Sequence, residues 1–265
     1  MKILHVGDQA GLGSITANMC SKLGHPSVVT VVKGTRDSWD HGSYYQNVAE
    51  CKDEDTLVKV IHNLDGDYDH IIYHDYFKLA QELDSLNIPS SYMFHGNQLR
   101  QQPTLFDKVN ELENIIHTFV TTADLLKFAL TATLFERPID MDLFHSMDIE
   151  REDTGLCLTQ DRFIQECRSI IDYEQDEVTV VDRVTYQTHY ADMPKLLNSV
   201  RSYYDIKFQP THPPYIIPEM STTGLQALAC GTPVWSNQQW FNSFPMQHSD
   251  EVTCANFLNM LMVDE

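Results

Sequence analysis

The stretch PEMSTTGLQALACGTPV, Pro218–Val234, contains the pattern that decides the fold. Its Ser-Thr-Thr-Gly sequence (221–224), followed by small and apolar residues, predicts the start of a helix. Gly231 is placed to end that helix in a left-handed cap, and Pro233 to begin the next strand. A helix N-terminus rich in hydroxyl groups offers unpaired N–H groups and a positive dipole end to an anion. The simpler alternative is an N-capped core helix.

Strand-like and helix-like segments alternate around this stretch. KILHV (2–6) and SVVTVV (27–32) have the composition of buried strands, and TLVKVIHNL (56–64) has helical spacing. Such repeats predict an α/β fold with parallel sheets covered by helices. The acidic segment DIEREDTG (148–155) is predicted to be a linker. The alternation of strand-like and helix-like segments begins again after it. We therefore expect two Rossmann-like domains, residues 1–147 and a shortened second domain, 148–265.

In the second series, MPKLLNSVRSYY (193–204) is predicted to form one helix and DIKFQ (205–209) a strand. The opening stretch then follows as a loop and a helix.

Composition limits the classes of function. The chain has 265 residues, 42 % hydrophobic and 21 % charged, as expected for an ordinary globular protein. A net charge of -20 argues against a broad surface for nucleic acid or anionic membranes, although a small phosphate pocket remains compatible with it. The six cysteines show no C-x-x-C spacing and are expected to be reduced core thiols. Without an apolar run of about 18 residues or a signal-like N-terminus, we expect a cytoplasmic protein.

A glycine pair lies between the first strand and the first helix. Gly11 and Gly13 suit a tight turn or a loop that approaches a ligand closely, and both readings stay open. A dinucleotide-binding loop would have a third glycine where Thr16 stands, and an acid where Lys33 stands. These two departures argue against a nicotinamide-dependent oxidoreductase.

Several segments, in the same order, resemble GT-B glycosyltransferases of the family-4 kind. They are GDQAGLGSITANMCSKLGHPSVVTVV (7–32), DHIIYHD (69–75), IPSSYMFHG (88–96), TFVTTADLLKFAL (118–130), FERPIDMDLF (135–144), YADMPKLLNSVRSYYDIKFQP (190–210) and TTGLQALACGTPV (222–234). The resemblance covers nearly the whole chain, and ALACGTPV and PIDMDLF are its most specific parts. It implies the GT-B fold, in which two Rossmann-like domains face a cleft, and transfer of a sugar from a nucleotide-sugar to a hydroxyl acceptor.

The resemblance also implies roles for individual residues. On the donor side, the expected phosphate contacts are Ser221, Thr222, Thr223 and Gly224, the ribose contact is Gln226, the sugar-hydroxyl contact is Glu219, and the substitute for a diphosphate-binding arginine is Arg162. On the acceptor side, Gly11 and Gly13 would form a loop over the cleft, His95 would contact the sugar or acceptor, and His74 and Asp75 are second choices. The implied reaction retains the anomeric configuration and uses neither a metal nor a cofactor.

Two positions depart from the family pattern, which has a pair of glutamates eight residues apart. Gln226 and Pro218 stand at those two positions. A second hypothesis is therefore a degenerate GT-B protein that binds a sugar, nucleotide or protein partner without catalysis. The expected partners of an active enzyme are a nucleotide-sugar and a hydroxyl-bearing acceptor, not nucleic acid. The sequence does not indicate an oligomeric state.

Overall fold

The computed structural model describes residues 1–8, 11–33, 44–45, 47–63, 67–171, 177–182, 189–209, 215–216 and 219–262. The chain forms two compact units, one of Met1–Pro138 with Asp250–Glu265, the other of Ile139–Ser249. These limits differ from the predicted domains, 1–147 and 148–265. The first unit ends nine residues earlier than predicted, and the last helix returns to it, because Cys254 and Phe257 pack in its apolar core.

The first unit is built on a seven-stranded parallel sheet. Its strands are β1 (Ile3–Val6), β2 (Ser27–Val32), β3 (Val48–Cys51), β4 (His70–His74), β5 (Ser90–Phe94), β6 (Ile115–Val120) and β7 (Thr133–Leu134). Its helices are α1 (Leu12–Lys22), α2 (Glu54–Asn63), α3 (Phe77–Leu83), α4 (Asn97–Gln101), α5 (Leu105–Asn110) and, after the second unit, α9 (Asp250–Met262). The sheet order is β3-β2-β1-β4-β5-β6-β7, so the strand order reverses between β1 and β4.

Both faces of this sheet are buried, because successive residues of a strand point to opposite sides. Leu4 and Tyr73 belong to the larger apolar cluster on one side. Ile3 and Ile72 belong to the cluster on the other, together with residues of α1 and α9. A sheet covered on both faces explains why its strands read as nearly continuous apolar runs in the sequence.

The second unit has a smaller sheet in the order β14-β13-β10-β8-β9. Its strands are β8 (Glu152–Thr159), β9 (Val178–Asp182), β10 (Val200–Asp205), β13 (Val234–Ser236) and β14 (Gln239–Phe241), with β11 (Phe208–Gln209) and β12 (Tyr215–Ile216) forming a separate antiparallel pair. Its helices are α6 (Ile164–Ile171), α7 (Met193–Ser199) and α8 (Thr222–Ala229). Among the described strands of the five-stranded sheet, only β14 runs antiparallel. The strand order reverses between β8 and β10.

Two predictions for the second unit were wrong. The single helix over 193–204 ends at Ser199, and Val200–Asp205 forms β10, the central strand of the sheet. The acidic segment 148–155 is only partly a linker, because β8 already begins at Glu152. In both places, pairing with neighbouring strands determines the structure against the local pattern.

Two other predictions concern the chain as a whole. All six cysteines are buried free thiols, as predicted. Within the described residues, no helix is both long and apolar enough to cross a membrane.

Candidate functional site

The first unit gathers polar residues at the carboxyl ends of β1, β4 and β5. In open α/β sheets, ligands bind outside these ends, at the point where the strand order reverses. His74 is the last residue of β4, Asp75 follows it, and His95 follows β5. The Nδ1 atom of His74 lies 3.0 Å from Nε2 of His95, at hydrogen-bonding distance. Three residues predicted for the acceptor side therefore lie together.

Asp75 has two properties typical of functional sites. Its backbone is left-handed, with φ 57°, which is uncommon for a residue other than glycine. Both oxygens of its carboxylate accept the His95 backbone N–H at 3.2 Å. Burial raises the pKa of Asp75 to about 7, although the bond from His95 and the charge of Arg100 oppose the increase. Asp75 can therefore exchange a proton near neutral pH.

The neighbouring histidines are neutral imidazoles. Burial lowers the pKa of His74 to about 3, and it also lowers the pKa of His95 well below its usual value. Electrostatic interactions with His74 and with the Arg137 guanidinium lower the pKa of His95 further. His95 therefore acts at neutral pH as a hydrogen-bonding group and not as a cation.

The two glycines of the first loop have structural reasons to be glycine. Gly11 has φ 75° and precedes α1 as its N-cap residue. A Cβ on Gly13 would lie 2.6 Å from the carbonyl oxygen of Gly7. The Asp8 carboxylate accepts the N–H of Ser14 at 2.9 Å and its hydroxyl at 2.5 Å, so it caps the first turn of α1. These contacts account for the structural-turn reading, whereas the ligand-loop role stays a prediction.

The second unit repeats this arrangement at the entrance of α8. Ser221 is the N-cap residue, and its Oγ accepts the N–H of Gly224 at 3.1 Å. The Asp205 carboxylate, at the end of β10, accepts the N–H of Ser221 at 2.6 Å and its hydroxyl at 2.5 Å. A Cβ on Gly224 would lie 2.8 Å from Asp205 Oδ2. The chain thus places its own negative charge at the helix end that the sequence assigns to phosphate.

The other residues predicted on α8 differ in their availability. Thr222 and Thr223 are partly exposed, and no described residue accepts a bond from their backbone N–H groups. Gln226 is only 5 % exposed, and its side-chain amide forms no hydrogen bond with another described residue. Gly231 has φ 74° and follows the C-cap residue Cys230, which confirms the predicted end of the helix. The N–H groups of Thr222 and Thr223 are therefore the backbone donors left for an anion in the described first turn of α8.

Two more predicted residues, Glu219 and Arg162, lie shortly before α8 and α6. Glu219 is partly buried, two residues before the N-cap. Arg162 is exposed, bonds to the Gln160 side-chain oxygen at 2.8 and 3.0 Å, and lies over the Phe163 ring. Pro218 lies outside the described residues. The Arg162 side chain is thus held by Gln160 and Phe163, which are its near neighbours in the sequence.

Sequence reasoning missed three polar residues at these sites. His5 lies inside the apolar strand β1 and is fully buried, and its Nδ1 is 3.1 Å from Nε2 of His74. Arg137, near His95 in space, is 9 % exposed. Asp205 was assigned to the start of a strand that the structure places differently. The signal that could have been noticed is a single histidine within the run KILHV.

The described residues contain no group of three or more His, Cys, Asp or Glu side chains arranged to hold a metal ion. The chain was expected to use no metal, and that expectation stays a prediction.

Comparisons with known proteins identify the fold. An alpha-glucosyltransferase in complex with UDP matches over 99 % of this chain and 91 % of its own, with a TM-score of 0.59 and 11 % identity. The same kind of enzyme bound to UDP and a 13-mer DNA containing a HMU base matches over 88 % and 79 %, with a TM-score of 0.54 and 13 % identity. No protein-family model matches the chain, and no curated protein matches its sequence. The two units therefore have the GT-B fold, as predicted.

Proposed function

We propose that this protein is a glycosyltransferase that moves a sugar from a nucleotide-sugar to a hydroxyl acceptor. The observation that carries the proposal is the position of the polar clusters. In each unit of this chain, the cluster lies at the carboxyl ends of the strands, at the point where the strand order reverses. This is the place where α/β folds bind ligands. The cluster of the second unit includes a helix N-terminus, which favours a phosphate-bearing donor.

On the donor side, Thr222 and Thr223 are the proposed phosphate contacts, since their N–H groups have no acceptor among the described residues. Gln226 remains the proposed contact for ribose hydroxyls, as its amide can donate and accept. Glu219 is proposed for a sugar hydroxyl, and Arg162 for the diphosphate if its side chain turns away from Gln160. Together these groups would stabilise the charge that develops on the leaving diphosphate.

On the acceptor side, Asp75 and His95 are the proposed contacts for the hydroxyl group. The raised pKa of Asp75, about 7, suits a group that accepts a proton from that hydroxyl. We propose retention of configuration without a metal, in which the leaving phosphate shares this task. The anomeric configuration of the product, determined by NMR, tests retention separately from activity. An inverted product would assign the proton to Asp75 alone.

We propose a glycan or small-molecule acceptor and not nucleic acid. A DNA-bound alpha-glucosyltransferase shares the fold, but this chain has a net charge of -20. Such a charge repels a phosphate backbone unless the basic groups are concentrated on one surface. Binding of a DNA duplex at low salt, measured by fluorescence anisotropy, would contradict this part of the proposal.

The experiment that tests the function is turnover of a panel of nucleotide-sugars. Purified protein is incubated with each donor, with and without simple sugar acceptors, and release of the nucleoside diphosphate is measured. We expect release with at least one donor, and a strong decrease in the Asp75→Asn variant. Absence of both release and nucleotide binding with every donor would contradict the enzyme and leave only the non-catalytic alternative.

One observation favours that alternative, a GT-B protein that binds without catalysis. The Asp205 carboxylate already bonds to the entrance of α8, where it would repel a diphosphate. Nucleotide binding without any turnover would select this second function.

A further inference from the structure

Three histidines form a continuous hydrogen-bonded row on one face of the first sheet. His5 in β1, His74 at the end of β4 and His95 after β5 come from three neighbouring strands. The distance from His5 Nδ1 to His74 Nε2 is 3.1 Å, and from His74 Nδ1 to His95 Nε2 it is 3.0 Å. The rings are stacked, with centroids 5.3 and 5.1 Å apart. Each ring thus contacts the next through opposite nitrogens.

This geometry limits the protons of the row to two arrangements. Each neutral imidazole carries one N–H and one acceptor nitrogen. Each nitrogen-to-nitrogen contact needs one donor and one acceptor. If His5 carries its proton on Nε2, its Nδ1 must accept from His74, and His74 Nδ1 must accept from His95. All three rings then have the Nε2–H form. In the reverse arrangement, all three have the Nδ1–H form.

The nitrogen atoms at the two ends of the row are both buried. His5 Nε2 and His95 Nδ1 have no hydrogen-bond partner among the described residues. They lie in different surroundings, because His5 is fully buried whereas His95 lies at the carboxyl edge beside Asp75. The positive charge of the Arg137 guanidinium lowers the pKa of His95, so a cation lies near this end of the row. A cation at this end favours the arrangement that presents a lone pair there, which is the Nε2–H form of all three rings.

We propose that His5, His74 and His95 form a tautomeric relay that fixes Nδ1 of His95 as a hydrogen-bond acceptor for a hydroxyl group. His5 and His74 are positioning residues in this arrangement. They contact no reacting atom, and together with the charge of Arg137 they determine which nitrogen of His95 carries the proton. The identity of this hydroxyl group, as one of the sugar or of the acceptor, rests on the proposed function. The shared tautomer of the three rings does not depend on any activity.

The test is ¹⁵N NMR of the imidazoles in the full-length protein at neutral pH. The shifts of Nδ1 and Nε2 show which of the two is protonated in each ring. The signals of each ring are assigned from the variant in which that one histidine is replaced, because its signals are then missing. We expect the Nε2–H form for His5, His74 and His95. A ring in the Nδ1–H form, a mixture of forms, or a doubly protonated ring among the three would overturn the relay.

A substitution in the middle of the row tests the coupling. His74→Phe keeps a ring of similar size but removes both hydrogen bonds. We expect His5, which then has no connection to Arg137, to become a mixture of the two tautomers. His95 should keep a majority of the Nε2–H form, which the charge of Arg137 favours, but a smaller one than in the wild-type protein. Unchanged tautomers at both ends would show that each ring is determined by its own surroundings, against the proposal. If this variant does not fold, the tautomers of the wild-type protein decide alone.

The matched control is His70→Asn. His70 lies on the same strand, is buried, and bonds to Ser91 Oγ at 2.8 Å instead of to the row. We expect the wild-type tautomers at His5, His74 and His95 in this variant. A change as large as in His74→Phe would mean that any loss in the sheet disturbs them, which would contradict a specific relay. In active protein, His74→Phe should raise KM for the acceptor and leave KM for the nucleotide-sugar unchanged. A failure of this kinetic test with the tautomers as expected would overturn the proposed function only.

Discussion

Replacement of His74 by Phe is expected to lower the number of protons that the protein takes up on unfolding at pH 5 by about one. Burial lowers the pKa of His74 from 6.5 to about 3. At pH 5, an unfolded histidine is about 97 % protonated, whereas folded His74 is about 1 % protonated. Unfolding therefore takes up about one proton at this position. Because the unfolded state binds more protons, the free energy of unfolding rises with pH between about 3 and 6.5.

The expected slope from His74 alone is about 1.3 kcal/mol per pH unit near pH 5. His70, with its pKa lowered to about 4, adds a contribution of the same sign. Asp75 acts in the opposite direction, because its pKa is raised to about 7. Folded Asp75 holds a proton that the unfolded chain releases between pH 4 and 7, so its contribution to stability decreases as pH rises through that range.

A pH-stat measurement of proton uptake on complete unfolding in urea at pH 5 isolates the contribution of His74. It needs no assumption that the two units unfold together. We expect His74→Phe to take up about one proton fewer than the wild-type protein. The control is Asn63→Phe at an exposed position of α2. It removes no titratable group, so this variant should take up as many protons as the wild-type protein. Equal uptake by wild-type protein and His74→Phe would refute the buried, neutral state of His74.

Three further predictions concern the helix entrance of the second unit and the carboxyl edge of the first. Ser221→Ala removes the N-cap side chain and should lower the free energy of unfolding by about 1 kcal/mol in urea denaturation. Ser199→Ala is the control, and equal urea midpoints for the two variants would contradict the capping role. Gly224→Ala places a Cβ 2.8 Å from Asp205 Oδ2 and should cost about 1–3 kcal/mol; a stable variant would show that the entrance has room. Asp205→Asn should strengthen binding of a nucleoside diphosphate at least about fivefold by calorimetry, because it removes a like charge; weaker binding would mean that the bonds of Asp205 to Ser221 matter more than its charge.

The sequence predicts the fold where local pattern and tertiary structure agree. β2 is a run of β-branched residues and forms the predicted strand, and the Ser-Thr-Thr-Gly entrance and Gly231 bound the predicted helix. β10 was missed because its sequence, VRSYYD, continues the pattern of the preceding helix. It is a strand because β8 and β13 pair with it on both sides.

The candidate sites were less predictable, because they depend on residues that are distant in the chain. Asp205 bonds to Ser221 from 16 residues away, so a local reading of the helix entrance shows open N–H groups and not the carboxylate. His5, His74 and His95 meet only because three strands lie in the order β1-β4-β5. No spacing in the sequence encodes that order. Asp75 was predicted as a cleft residue, but its left-handed backbone and raised pKa are tertiary properties.

The central claim, a phosphate-bearing donor at the entrance of α8, is tested most directly by a pair of substitutions at Thr222. Thr222 is the first residue of α8, where proline is tolerated, and the preceding Ser221 has an extended backbone that suits it. Thr222→Pro removes the backbone N–H proposed to bind phosphate, whereas Thr222→Ala keeps it. A hydrogen bond to a charged group contributes about 1.5–3 kcal/mol.

Calorimetric titration with nucleoside diphosphates measures this difference. We expect the wild-type protein and Thr222→Ala to bind at least one of them with similar affinity, and Thr222→Pro to bind it at least about tenfold more weakly. Equal affinity of the two variants, or no binding by the wild-type protein, would contradict a donor site at this helix.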